Sequence, residues 1–370
     1  MQAENISINN VNISHRSHQM CELKKKLTKL KEDAYETISD NDRPGKGEAL
    51  SYFSRCISYS SKLIFTEKEI IVFAILQLVA IALGYYLWVQ SLDLIPEEVW
   101  ESAKKSDRCS PVDLLLLLWT FICVGLTAYP LGLLSSCMAA AHFLHETGQE
   151  STIAKCFRIV LPSSWTIWIF SWIDGWWTVL RILERLPKKN DRTPISQKIF
   201  DEAVYQAWKV ASLGFFPATI IGRNITDACK DSLGLLKTHF KTICQLRIAY
   251  SLICWVVGIG AYIGGFILLA HFPHRLEPIN NIYSFYAISG IPLVFSLFFI
   301  QVIFRPIYIL SACRIYSNYT YENNIKISLP KVSKFTSSVV GFLILAIITY
   351  VAYLFRDELG ITQILTTPYK

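Results

Sequence analysis

Charge is scarce in this sequence. Only 18% of its 370 residues are Asp, Glu, Lys or Arg, against about 25% in an ordinary soluble domain. Mean hydropathy is positive, at +0.34. A soluble globular protein of this length is therefore a poor reading. Also missing are the short motifs that carry chemistry. There is no phosphate-binding glycine loop, no H-E-x-x-H, no G-x-S-x-G and no carboxylate pair at a convincing spacing. Nothing supports an enzyme, and no catalytic, cofactor-binding or metal residue is assigned. Ten cysteines (21, 56, 109, 123, 137, 156, 229, 244, 254 and 313) form no Cys-x-x-Cys pair and no metal-type spacing. Several sit in apolar runs, where free cysteine acts as a small hydrophobe, so a secreted disulfide framework is not expected. No cleavable signal peptide is read, because the first 48 residues are polar.

What the chain has instead is apolar residues in blocks. A helix needs about 20 mostly apolar residues to cross a bilayer. Runs of that kind begin near Ile70, Leu114, Ile159, Ala203, Ile248, Tyr283 and Ser337. Together they read as an all-α fold, a polytopic helical membrane bundle with five to seven hydrophobic helices. Its partner is the lipid bilayer. The net charge of +7 lies in loops between the runs, which suits attraction to an anionic leaflet and not nucleic acid.

Three regions divide the chain. Residues 1–48 are polar, Asn- and Ser-rich at first. A Lys-rich helical pattern follows on Leu23, Leu27 and Leu30, then an Asp40–Gly47 linker. This segment reads as a solvated helix, with a leaflet contact or a protein partner as the sharper alternatives. Residues 49–356 are the membrane bundle, opening with an amphipathic helix laid in the interface. Residues 357–370 are a polar tail.

Two runs are irregular, amphipathic or re-entrant. In the third, Trp165, Trp168, Trp172 and Trp176 fall on one stripe at helical spacing, an interfacial aromatic candidate. Asp174, Thr178 and Arg181 fall opposite. The fourth run carries Lys209 and Pro217. Intramembrane charges point to function by default, so Asp174 and Lys209 form the candidate polar site, each with a bland alternative. Asp174 could serve Arg181, and Lys209 could snorkel. Gly260 and Gly264 have the spacing that lets helices pack closely in lipid. His142, His145 and Glu146 read as a solvated helix end.

The positive-inside rule bears on topology. If all seven runs cross with the N-terminus inside, the basic loop 181–202 falls outside, against the rule. If runs three and four re-enter or lie flat, 142–247 stays cytoplasmic. The charge bias favours five or six spans with a cytoplasmic N-terminus in a cell membrane, plasma or bacterial inner.

The order of segments resembles an uncharacterised family of prokaryotic polytopic membrane proteins, over roughly 50–320. The likeness is carried by the Ser51–Glu69 lead-in, Ala139–Phe143, the Trp-rich run with Leu183–Arg185, Ala207–Trp208 before Pro217, Asp227–Lys237, and Arg314–Tyr316. The chain departs in its 1–48 extension, in basic Arg223, and in the added run 337–355. The resemblance implies the fold and brings no catalytic residues. The leading functional expectation is a transporter-like or membrane-organising bundle. The alternative is a membrane-anchored interaction protein recruiting a partner through 1–48, for instance an effector in a host membrane.

Overall fold

In the computed structural model, residues 49–92, 111–185, 195–271, 292, 294–325, 327, 337–361 and 363 are described. The expectations placed on 1–48, on the middle of loop 181–202, on the start of the sixth run at Tyr283 and on the end of the 357–370 tail lie outside them. Among the described residues every regular element is helical. Five helices are long and apolar enough to cross a bilayer: Lys68–Gln90, Val112–Glu146, Ile153–Glu184, Ile225–Gly264 and Val294–Glu322. Ser338–Leu354 is a shorter apolar helix. The chain has the build of a multi-pass membrane protein, and its outward faces fit that. Leu83, Ile248, Trp255, Val294 and Ile347 are all exposed, an apolar surface too continuous for water.

Helix α1 (Ala49–Thr66) docks through Ser60, whose hydroxyl meets Ser311 Oγ at 2.9 Å. The helix that was expected to lie in the interface thus also packs on the bundle. Helices α2 (Lys68–Leu92) and α3 (Pro111–Glu146) form an antiparallel pair. Pro111 suits the first turn of α3, where an N–H has no intrahelical partner. Asp113 complements the helix dipole there. Gln77, fully buried on α2, donates to Leu131 O (3.1 Å) and Ser135 Oγ (2.7 Å) on α3. The stretch Cys137–Ala141 has no exposed surface. Its three alanines let neighbours come close, as helices in lipid require, and α3 becomes the central rod.

Gly148, at φ 63°, closes α3 in the left-handed region. Thr152 then caps α4 (Ile153–Val160) by accepting from Lys155 N. A 3₁₀ turn leads into α5 (Ser164–Arg185), which runs antiparallel to α3. The fourth run differs from an ordinary span. It is α6 (Ile195–Ala211), a 3₁₀ turn at Ser212–Gly214, and the short α7 (Phe215–Ile220). Its contacts follow α5 from end to end: Glu202 on Arg181, Lys209 on Asp174, Phe215 stacked on Phe170 at 3.8 Å, and Thr219 O accepting from Ser163 Oγ.

The helical stretch after the fourth run and the fifth run fuse into one 47-residue helix, α8 (Ile225–His271), broken by non-helical backbone at His239. Before the break, Asp231 meets Tyr316 and His239 meets Glu322; after it, Tyr250 stacks on Tyr308. The contacts therefore climb α9 (Arg305–Glu322) and then descend it. A π turn at Ile300–Phe304 precedes α9. Finally α10 (Ser337–Leu354) packs on α3 and α5, with Phe342 stacked on Tyr129 at 4.6 Å.

Candidate functional site

Helix α5 carries two chemically different faces, and each meets a different neighbour. Asp174, Thr178 and Arg181 are spaced to share one face. On α6, Glu202, Gln206 and Lys209 do the same. The antiparallel pairing brings the two rows together.

The centre is Asp174. Lys209 Nζ donates to both of its carboxylate oxygens at 2.7 Å and to Thr178 Oγ1 at 3.0 Å. The three ammonium protons thus each have an acceptor. Trp208 Nε1 adds a bond to Asp174 Oδ1 at 2.9 Å. The Trp208 ring is held between Phe170 and Trp177, at 5.7 and 5.2 Å. Lys209 also lies 5.5 Å from the Tyr205 ring centroid, a cation–π distance. The Lys209 side chain is 14% exposed and the Asp174 side chain 29%. The pair is therefore held on several sides and still open on one.

The polar row continues along the interface. Arg181 contacts Glu184 (2.5 Å) and Glu202 (3.3 Å). Gln206 donates to Glu202 at 2.7 Å and accepts from Arg247 Nε at 3.3 Å. Asp174 thus pairs with Lys209 across the helices, and Arg181 takes other carboxylates.

The break beside this site is satisfied internally. Ser232, from α8, donates to Ala211 O, and Ser212 donates to Lys209 O at 3.0 Å. Carbonyls freed by an interrupted helix need such partners when water is excluded.

The tryptophans line the other face of α5 and pack on α3. Trp168 and Trp172 stack at 5.8 Å. Their indoles donate to Gly125 O (2.8 Å) and Phe121 O (3.0 Å). A buried indole N–H needs an acceptor, and the missing side chain at Gly125 lets the ring reach the backbone. Trp176 sets an edge on Phe121 at 5.0 Å, and Trp165 meets Gly341 of α10. The stripe packs on α3 through Trp168, Trp172 and Trp176 and on α10 through Trp165. Close approach occurs at Gly84, Gly125, Gly132 and Gly234, where an added Cβ would collide with Thr127, Trp172, Ser171 and Tyr319. At Gly260 and Gly264 no described residue lies within 4 Å of such a Cβ.

The solvated end expected for His142, His145 and Glu146 is instead largely enclosed. His142 is fully buried and the Glu146 side chain is 8% exposed. Arg314 Nη1 meets Glu146 Oε1 at 2.9 Å, and Ser317 donates to Oε2 at 2.7 Å. The Arg314 guanidinium lies 4.9 Å from the Tyr59 ring, which sets an edge on His142. His145 Nδ1 meets Glu67 at 2.8 Å. Sequence spacing shows the pairing of His142 with Glu146 but not Arg314, which arrives from α9. A lone acid and a lone arginine, each near an apolar run, were the available signal.

Among the described residues no group of three or more His, Cys, Asp or Glu is arranged to hold a metal ion. No family model matches the chain, and neither a curated protein nor a solved structure matches it. The functional reading therefore rests on the geometry of Asp174, Lys209 and their neighbours.

Proposed function

We propose that this chain is a non-enzymatic, transporter-like membrane bundle whose polar interior is built where α5 meets α6. The observation that carries it is the Asp174–Lys209 pair beside the helix break at Ser212–Gly214. Ionisable groups within a membrane are costly and mark solute or ion pathways. Interrupted helices bearing polar groups are a recurrent way of building transporter sites. An ordinary packing pair would gain little from an exposed side; here Asp174 keeps one.

The test is flux through liposomes containing the full-length protein, using a panel of labelled anionic, cationic and zwitterionic solutes. At least one solute is expected to cross faster than in protein-free vesicles. Asp174→Asn and Lys209→Met are each expected to cut that flux at least tenfold while the protein stays folded. No flux from the wild type, or wild-type flux from both variants, overturns the reading.

A further inference from the structure

Arg247 and Arg305 differ from the other arginines of the interior. Arg181, Arg223 and Arg314 each sit on a carboxylate. Arg247 and Arg305 form no ion pair with a carboxylate among the described residues: Arg247 bonds to Gln206 at 3.3 Å and to the Tyr308 side chain, and Arg305 bonds to Gln301 at 3.0 Å. Both are half-buried, and they belong to one helix contact. Tyr250 of α8 stacks on Tyr308 of α9 at 4.4 Å. Tyr308 lies beside Arg247 and within electrostatic reach of Arg305, and Tyr250 is within reach of Arg305 as well.

Their level in the bundle is marked by the outward surface. On α8 the exposed residues before Arg247 include Lys237 and Lys241; after it come Ile248 and Trp255, 65% and 69% exposed. On the other helix the exposed apolar row Val294, Phe295, Phe299 and Ile303 stops just before Arg305. Both arginines thus stand at one end of an exposed apolar row on their helices, where a long basic side chain reaches toward a lipid headgroup.

One turn beyond Arg247 a groove of about 500 Å³ opens between α8 and Val294–Glu322. Its lining includes Ser251, Trp255, Gly258, Ile259, Ile263 and Ser296. Gly258 leaves it open, because the nearest atom to a Cβ there is Ser296 Oγ at 3.7 Å. From Ser251 to Ile263 the groove follows the helix for about 18 Å at 1.5 Å per residue. That is close to the depth of one leaflet, about half of a 30 Å hydrocarbon core.

We propose that α8 and Val294–Glu322 hold one anionic phospholipid, with its phosphate on Arg247 and Arg305 and an acyl chain in the Gly258 groove. Two cations with no ion pair among the described residues favour a head with net negative charge over a zwitterionic one. The apolar groove favours a lipid over a free anion. The inference rests on the membrane reading above, but not on transport.

The test uses the full chain in phosphatidylcholine nanodiscs doped with phosphatidylglycerol. Bound lipid is counted by native mass spectrometry, and thermal stability is followed in parallel. Phosphatidylglycerol is expected to saturate near one retained molecule per chain and to raise the melting temperature. Arg247→Gln with Arg305→Gln, and separately Gly258→Leu, are expected to weaken retention at least tenfold, with unchanged melting in pure phosphatidylcholine. Lys237→Gln with Lys241→Gln is expected to leave retention intact. Equal retention of phosphatidylcholine overturns the proposal, as does an equal stability gain from inorganic phosphate, or an equal loss from the lysine variant. If the arginine and groove variants melt early even without phosphatidylglycerol, a merely structural role replaces it. Asp174→Asn is expected to bind the lipid normally, so a failed flux assay and a failed lipid site are separable.

Discussion

At the scale of residues, two charge pairs in this bundle do different work, and their surroundings separate them. Glu146 has Arg314 at 2.9 Å, Ser317 at 2.7 Å and His142 Nε2 at 3.4 Å, with 8% of its side chain exposed. Nothing there is left open for a solute. Asp174 has a comparable set of donors but 29% exposure. Removing one partner of an enclosed pair strands the other charge and costs about 3–5 kcal/mol. A half-open pair, relieved by solvent, costs about 1 kcal/mol. Glu146→Gln is therefore expected to lower the melting temperature in detergent well below that of Asp174→Asn. The flux assay is expected to give the opposite ranking for variants compared at a temperature where both are folded. If Asp174→Asn proves the more damaging to stability, the α5–α6 pair is architectural.

At the scale of elements, sequence pattern was informative about which segments are helices and less so about which faces meet. Helical spacing set Trp168 and Trp172 opposite Asp174, and the two faces do meet different helices. It did not reveal that the aromatic face lies on α3, because an aromatic stripe has the same pattern whether it meets headgroups or a neighbouring helix. Close packing among the described residues also falls where the small-residue spacing does not point. Gly260 and Gly264 have the favoured spacing, yet no described residue packs on them. Gly125 has no such partner in sequence, but it lies where the Trp172 ring crosses α3. Gly125→Ala is expected to push that ring away from Phe121 O and to cost about 1–3 kcal/mol of overpacking. Gly260→Ala is expected to be neutral or to stabilise by up to about 1 kcal/mol through helix propensity. Thermal unfolding of both variants in one detergent checks the contrast. Equal losses would show that the two glycines are equally packed.

At the scale of the whole molecule, the charge bias and the contacts pull in different directions. The charge bias disfavours an external loop 181–202, and so favours laying α5 and α6 flat or turning them back. The contacts tie α6 and α7 to α5 along its length, from Arg181–Glu202 to Ser163–Thr219. The 32-residue segment Ile153–Glu184 is itself long and apolar enough to cross. Whatever α5 does, its antiparallel companion does too. We infer that α5 and the α6–α7 pair cross together, which gives seven crossings with the N-terminus inside. Two points ease the conflict with the rule. Arg181 is neutralised by Glu184 and Glu202. The opposite end of the bundle carries Lys155, Arg158, Arg223, Lys230, Lys237 and Lys241. Single cysteines at Asn190, Thr226 and Asn280, in a background with native Cys21, Cys109 and the exposed Cys229 replaced, decide the matter when labelled in intact cells with an impermeant maleimide. Seven crossings make positions 190 and 280 reactive from outside and leave 226 protected until the cells are opened. Protection at 190 together with reactivity at 280 would restore the re-entrant arrangement. It would also take the Asp174–Lys209 pair out of any path that crosses the membrane.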